Sequence, residues 1–241
     1  MTSSIPSLEF QTKVNETYLL SHHQQLHVQR IIGDRSWSLS VTDPSHPHYG
    51  KLVLDNNDNN NNDVGYSIQL IGTAMEQSWQ WGWANDLLSP PDLVQGVIAA
   101  KHSLHNIPEF QVPKFALPHS DMSWQLASVA CTHMPGAHAL FTAPTGTGML
   151  FVAICDEEFP PLVVRDAPSL IRDTLTVVTE TDAVTDIPLA IHSFLTSLGA
   201  IQLLKQQNAC TYAFPALAVG SIHVTWDASG RHLQSMTTTT T

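Results

Sequence analysis

The sequence predicts an α+β fold in which antiparallel sheet is packed against several helices, and three observations lead there. Four long segments have apolar residues at helical spacing between recognisable stop signals, near residues 7–32, 89–107, 119–134 and 187–207. Between them, apolar residues alternate with polar ones in short runs joined by turn residues. Those runs come in adjacent pairs rather than one per helix, which indicates antiparallel pairing instead of βαβ crossovers.

The first helix is expected over 7–32, started by Ser7 after Pro6 and stopped by Gly33 and Asp34, with Leu8, Val14, Tyr18, Leu19, Leu26 and Val28 as its apolar positions. Trp37, Leu39 and Val41 then alternate with serines as a strand, residues 43–50 turn, and residues 51–55 return as a second strand. Residues 56–63, Asn-Asn-Asp-Asn-Asn-Asn-Asn-Asp, have nothing apolar to bury and are expected as a disordered loop. Asp55, Asp58 and Asp63 lack the glycine and terminal glutamate of a calcium loop.

Tyr66, Ile68, Leu70 and Gly72 share a face of the next strand, which turns at Glu76 and Gln77 into Ser78-Trp79-Gln80-Trp81-Gly82-Trp83-Ala84-Asn85-Asp86. Three of the chain's six tryptophans lie in five residues. As a strand, the segment would put all three indoles on one face. At ~25 cal/mol per Å² and roughly 150–250 Å² each, their burial could contribute on the order of 10–15 kcal/mol before entropy. The trio is therefore expected chiefly as core. The competing reading is an aromatic platform for stacking ligands, with Asn85 and Asp86 as its polar rim.

A second helix follows, with Ser89 as cap, Pro90 at its first position and Asp92 in its first turn. A proline-broken connector leads to a third helix, capped by Ser120 or Asp121 and ended by Pro135 and Gly136. Residues 137–144 and 149–156 then form a hairpin across the Thr-Gly-Thr-Gly of 145–148. Beyond it come a short helix near 167–174, a strand near 175–178, a helix over 187–207 interrupted by Gly199, and a last strand pair that Pro215 places at a sheet edge. The threonines at 237–241 read as a disordered tail. Two helix-then-hairpin runs suggest a repeated unit; the alternative is the ordinary habit of α+β chains.

The glycine strand Ile71-Gly72-Thr73 followed by the Trp-x-Trp-x-Trp-Ala-Asn segment resembles the signature of a mostly bacterial domain family of unknown function. The similarity extends through the following helix, a helix like Trp124–His133 and a hairpin like Gly136–Ile154. It implies a domain over 7–155 and no chemistry, since the family's activity is not established. The asparagine tract and the final eighty-odd residues depart from it. Residues 156–236 are read as a helix-plus-hairpin extension, and whether it packs on the same domain or forms a second stays open.

Functional signals are sparse. A net charge of −11, with the ten Lys and Arg scattered along the chain, disfavours nucleic acid. No apolar run reaches the length of a membrane helix, and three widely spaced cysteines without a CxxC pair suit a reducing compartment, so a cytoplasmic location is expected. Thirteen histidines include His23 and His27, four apart on one helix face, the best of weak candidates for a metal. No partner ligands or HExxH pattern accompany them, so no metal and no cofactor is assigned. Cys131 and His133, two apart on a helix, point to different sides. The expectation is a binding or interaction module that takes a protein or a small molecule, with Trp79, Trp81, Trp83, Asn85 and Asp86 as the place to look. The alternatives are a hydrolase-like enzyme using His and Asp residues assembled by the fold, and a structural or chaperone-like module.

Overall fold

The computed structural model describes residues 6–55, 63–85, 91–161, 168–179, 181–214 and 219–240. It is an α+β protein with helices α1 (Leu8–Ile32), α2 (Gln95–Ser103), α3 (Met122–Thr132), α4 (Pro168–Thr176) and α5 (Ile187–Ser197). The strands are β1 (Trp37–Ser40), β2 (Lys51–Leu54), β3 (Val64–Met75), β4 (Ser78–Trp81), β5 (Lys114–Ala116), β6 (Ala139–Pro144), β7 (Gly148–Ile154), β8 (Ile201–Gln206), β9 (Ala209–Ala213), β10 (Val219–Trp226) and β11 (Leu233–Thr240). All ladders among the described residues are antiparallel. The chain divides into two compact units: residues 1–10 with 27–161, and residues 11–26 with 162–241. Helix α1 contributes to both.

In the first unit, β3 is the hub. Its first four residues pair with β2, its last four with β4, and Ile68–Met75 with β7, which also pairs with β6. Strand β3 can take neighbours on both edges because it is long and buried at Ile68, Leu70 and Ile71. Gly72 lets β4 come close: a Cβ there would stand 2.6 Å from the Trp79 ring and 2.7 Å from the Gln80 carbonyl oxygen. At the start of α1, Ser7 Oγ accepts from Phe10 N at 3.2 Å and donates to Glu109 Oε2 at 2.8 Å. At its end Gly33, at φ 56°, donates its N–H to Gln29 O. Both caps lie where the composition places them.

The second unit is a four-stranded sheet in the order β11-β10-β9-β8, and its core collects Ile171, Leu175, Ile191, Phe194, Tyr212, Val224 and Trp226 with Leu19 of α1. Three expectations fail here. The helix over 187–207 ends at Ser197, because Gly199 at φ +83° takes a conformation that favours glycine, and 201–206 becomes β8. The strand near 175–178 is instead the end of α4 and a 3-10 turn. Residues 237–240, expected in a frayed tail, finish β11, where alternate hydroxyls bond across the ladder: Ser221 to Thr239 and Thr225 to Ser235, each at 2.7 Å. Strands β9 and β10 are therefore interior, and Pro215 lies outside the described residues.

The β10 side chains Ile222, Val224 and Trp226 face the core, so Ser221, His223 and Thr225 face outward beside Thr211 of β9 and Ser235, Thr237 and Thr239 of β11. On the free edge, Ile201, Leu203 and Leu204 are 55%, 63% and 46% exposed, and a bulge between Gln202 and Leu204 breaks the β8 ladder.

Candidate functional site

Strand β4 ends at Trp81, and residues Gly82–Ala84 form a 3-10 turn, so the three indoles do not share a strand face as expected. Trp79 and Trp81 are fully buried and meet edge to face at 5.0 Å between centroids; Phe151 lies 5.3 Å from Trp79 and Phe110 4.7 Å from Trp81. Trp81 Nε1 donates to Glu109 O at 3.0 Å, while Trp79 Nε1 is buried with no hydrogen-bond partner among the described residues. Trp83 leaves this cluster and lies under Lys101, whose Nζ is 3.6 Å from the ring centroid. Asn85, 9% exposed, closes the 3-10 turn by donating its N–H to Gly82 O. Asp86, with the expected helix start at Ser89 and Pro90, lies outside the described residues. Trp79 and Trp81 thus offer no surface to a ligand.

The histidine pair is engaged elsewhere. His23 Nδ1 is 2.8 Å from Thr174 Oγ1 and its ring meets Phe194 edge to face. His27 Nε2 donates to Pro160 O at 2.9 Å and its ring stands perpendicular to Phe159. Among the described residues, no group of three His, Cys, Asp or Glu side chains is placed to hold a metal ion. Burial pushes the Cys131 thiol far up, and the Cys155 thiol up to about 11.

A cavity of about 310 Å³ lies in the first unit, lined by Glu76, Gln77, Leu117, Pro118, His119 and Ser120. Three others lie in the second unit, where the lining residues come from three segments that share no sequence motif. A cavity of about 520 Å³ is lined by Val178, Thr181, Asp182, Thr185, Arg231 and His232. Another, of about 400 Å³, shares Thr185 and Arg231 with it and adds Asp186, Pro188, Asn208 and Trp226. A third, of about 250 Å³, shares Asp186, Pro188 and Trp226 with the second and reaches His192, Gln202, Lys205, Cys210 and Tyr212. Shared walls make these one groove along the start of α5 and the β10–β11 turn.

Local structure explains how the groove's cation is presented. Asp227 accepts from Ser229 Oγ at 2.8 Å and from the backbone N–H groups of Arg231 and His232 at 3.0 and 3.3 Å. Gly230, at φ +70°, supplies the turn. The Ser229 hydroxyl first, then these backbone donors, hold the Asp227 carboxyl below the usual range. With Asp227 fully committed to its own turn, the Arg231 guanidinium has no carboxylate partner among the described residues. At the far end of the groove, His192 Nδ1 is 3.3 Å from the Tyr212 hydroxyl, and Gln202 Nε2 donates to Cys210 Sγ at 2.9 Å.

Comparison with known proteins bears on the other unit. The model of a family of unknown function, DUF6882, matches residues 11–157. The chain belongs to that family. The matched stretch holds the β3–β4 hairpin with the buried Trp79 and Trp81, and it ends before the segments that line the groove. No curated protein and no solved structure matches the chain. Among the described residues, no helix is long and apolar enough to cross a membrane.

Proposed function

We propose that this protein is a binding module that takes a small carboxylate-bearing molecule in the groove of its second unit. One observation supports this above the rest: Arg231 lines two adjoining cavities of about 520 and 400 Å³, and among the described residues it forms no ion pair, with Asp182 and Asp186 in the same walls left beyond ion-pair distance. A guanidinium in a concave site is suited to bidentate capture of a carboxylate. The residues that lead into α5, Thr185 and the N-cap Asp186, line the second cavity, and the Asp186 side chain already accepts from Leu189 N at 3.0 Å. Thr181 and Thr185 add hydroxyl groups, and cavities of this size suit a small organic ligand.

Calorimetric titration of the full chain with succinate, glutamate and inorganic phosphate tests the reading. Binding of a carboxylate, lost by at least tenfold in Arg231→Ala with an unchanged melting temperature, is the expected result. Absence of binding by all three, or equal binding by Arg231→Ala, would overturn it.

A second reading has its own support, in the exposed Ile201, Leu203 and Leu204 on the free edge of β8. An uncovered edge with large aliphatic side chains is a template for an added strand, so a partner protein is the alternative ligand. Three free thiols, Cys131, Cys155 and Cys210, favour a reducing compartment, and on that ground we place the protein in the cytoplasm.

A further inference from the structure

We propose that the cavity beside the β3–β4 turn of the first unit binds a small primary amine in its ammonium form, with the Glu76 carboxylate as the charged anchor. This site shares no lining residue with the Arg231 groove and takes the opposite charge.

Two independent observations meet at Glu76. The first is conformational. Glu76 sits in the turn between β3 and β4 at φ +53°, and among the described residues it is the one non-glycine residue with a positive φ. A β-carbon in that conformation crowds the following carbonyl, a cost that glycine does not carry. Backbone strain of this kind persists where the surroundings over-determine it, and it gathers at ligand sites. The second is chemical. Glu76 lines the 310 Å³ cavity, and among the described residues its carboxylate has no ion pair and no hydrogen bond. A strained residue thus carries an uncommitted charge at a concave surface.

The sheet fixes the walls. Strand β4 pairs with β5, and beyond the ladder Leu117 donates its N–H to Gln77 O at 2.7 Å, which ties the turn to the segment leading into α3. The polar groups that remain are acceptors. Ser120 Oγ gives its hydrogen to Asp121 Oδ1 at 3.2 Å, so only lone pairs are left for a ligand. The His119 ring makes no hydrogen bond among the described residues, and a neutral imidazole offers one acceptor nitrogen. Carboxylate, hydroxyl oxygen and imidazole nitrogen together match the three N–H donors of a primary ammonium group. The carboxylate makes that match charge-assisted, which an alcohol cannot exploit, and it repels an anion. Leu117 and Pro118 give the carbon chain an apolar wall, and the volume suits a small organic molecule. A net charge of −11 also favours the approach of cations.

Titrating the full chain with n-butylammonium chloride at constant ionic strength, while following the backbone amide resonances, tests the proposal. The amides of Gln77, Leu117 and Ser120 should shift and saturate, whereas 1-butanol and sodium butyrate at the same concentrations should leave them in place. Glu76→Gln keeps the shape and removes the charge, so it should weaken binding at least tenfold at an unchanged melting temperature. Glu76→Ala and Glu76→Gly should both lose binding, and the glycine variant should melt about 2–4 °C above the alanine one as the strain is released. Shifts spread over the whole surface, equal shifts with 1-butanol, or wild-type affinity in a folded Glu76→Gln protein would overturn the proposal. So would equal melting temperatures for the glycine and alanine variants.

Discussion

Trp81 and Trp226 are both buried strand tryptophans, at 0% and 4% exposure, and what surrounds them separates the two units. Trp81 is enclosed by Trp79 and Phe110, with its N–H satisfied by the Glu109 carbonyl and its side chain at 0% exposure. Trp226 instead forms part of the wall of two cavities whose other linings are Asp186, Asn208, Arg231, His192 and Lys205. The comparison shows that a concentration of aromatic residues here reports on packing, whereas the cavities of the second unit are walled by scattered polar residues around Trp226 and Tyr212.

The largest test of that contrast is Trp79→Ala. Emptying a site filled by an indole at 0% exposure should destabilise the first unit by about 3–5 kcal/mol. Trp83→Ala, which removes a half-buried ring beneath Lys101, should cost about 1 kcal/mol or less. Urea unfolding of both variants measures this, and similar costs for the two would mean that Trp79 is not the packed residue it is described as.

Next in size is Gly72→Ala. The new methyl would press on the Gln80 backbone and the Trp79 ring, for an expected loss of about 1–3 kcal/mol. A melting temperature equal to wild type would show that β3 and β4 have slack between them.

Acid should come third. Asp156 is held below the ordinary carboxylate range chiefly by the Ser67 N–H, which it accepts at 2.8 Å, opposed by burial and helped by the Glu158 N–H. A depressed folded pKa gives stability that is complete above the unfolded value of about 4 and is lost as pH falls through the lower folded value. Asp156→Asn should therefore flatten the stability profile of the first unit below about pH 4 and leave it parallel to wild type at neutral pH. Asp227→Asn should do the same for the second, and a profile identical to wild type in either variant would remove that carboxylate from the account. The smallest effect on stability is expected from Leu203→Lys, within about 0.5 kcal/mol, because the side chain is 63% exposed. Light scattering at rising concentration should nevertheless show less association than wild type if the β8 edge recruits chains.

Much of the first unit is legible in the sequence, because its signals are local. Ser7 and Gly33 bracket α1, and the 145–148 glycines join β6 to β7. The tryptophan alternation misleads at Trp83, since period two continues in the residue types after Gly82 has turned the backbone. In the second unit, Ile201–Gln206 reads as helix because nothing but Gly199 precedes it, and β11 reads as tail because its pairing rests on hydroxyls rather than an apolar alternation. The groove leaves no mark in the sequence. Asp182 and Arg231 meet at one cavity and His192 and Cys210 at another, through a sheet whose two edge strands are those misread segments.

Helix α1 gives its middle, residues 11–26, to one unit and both its ends to the other. During synthesis this helix emerges before the rest of that core, since Leu19 packs with members that run from Ile171 to Trp226. At ~5–20 residues per second, the helix waits on the order of ten to forty seconds for the rest of its core. Through that interval its apolar stripe has no permanent cover, so the order of translation runs against the order of assembly. A chain released early, after the family-matched stretch but before α5, would carry that stripe into solution for its whole lifetime.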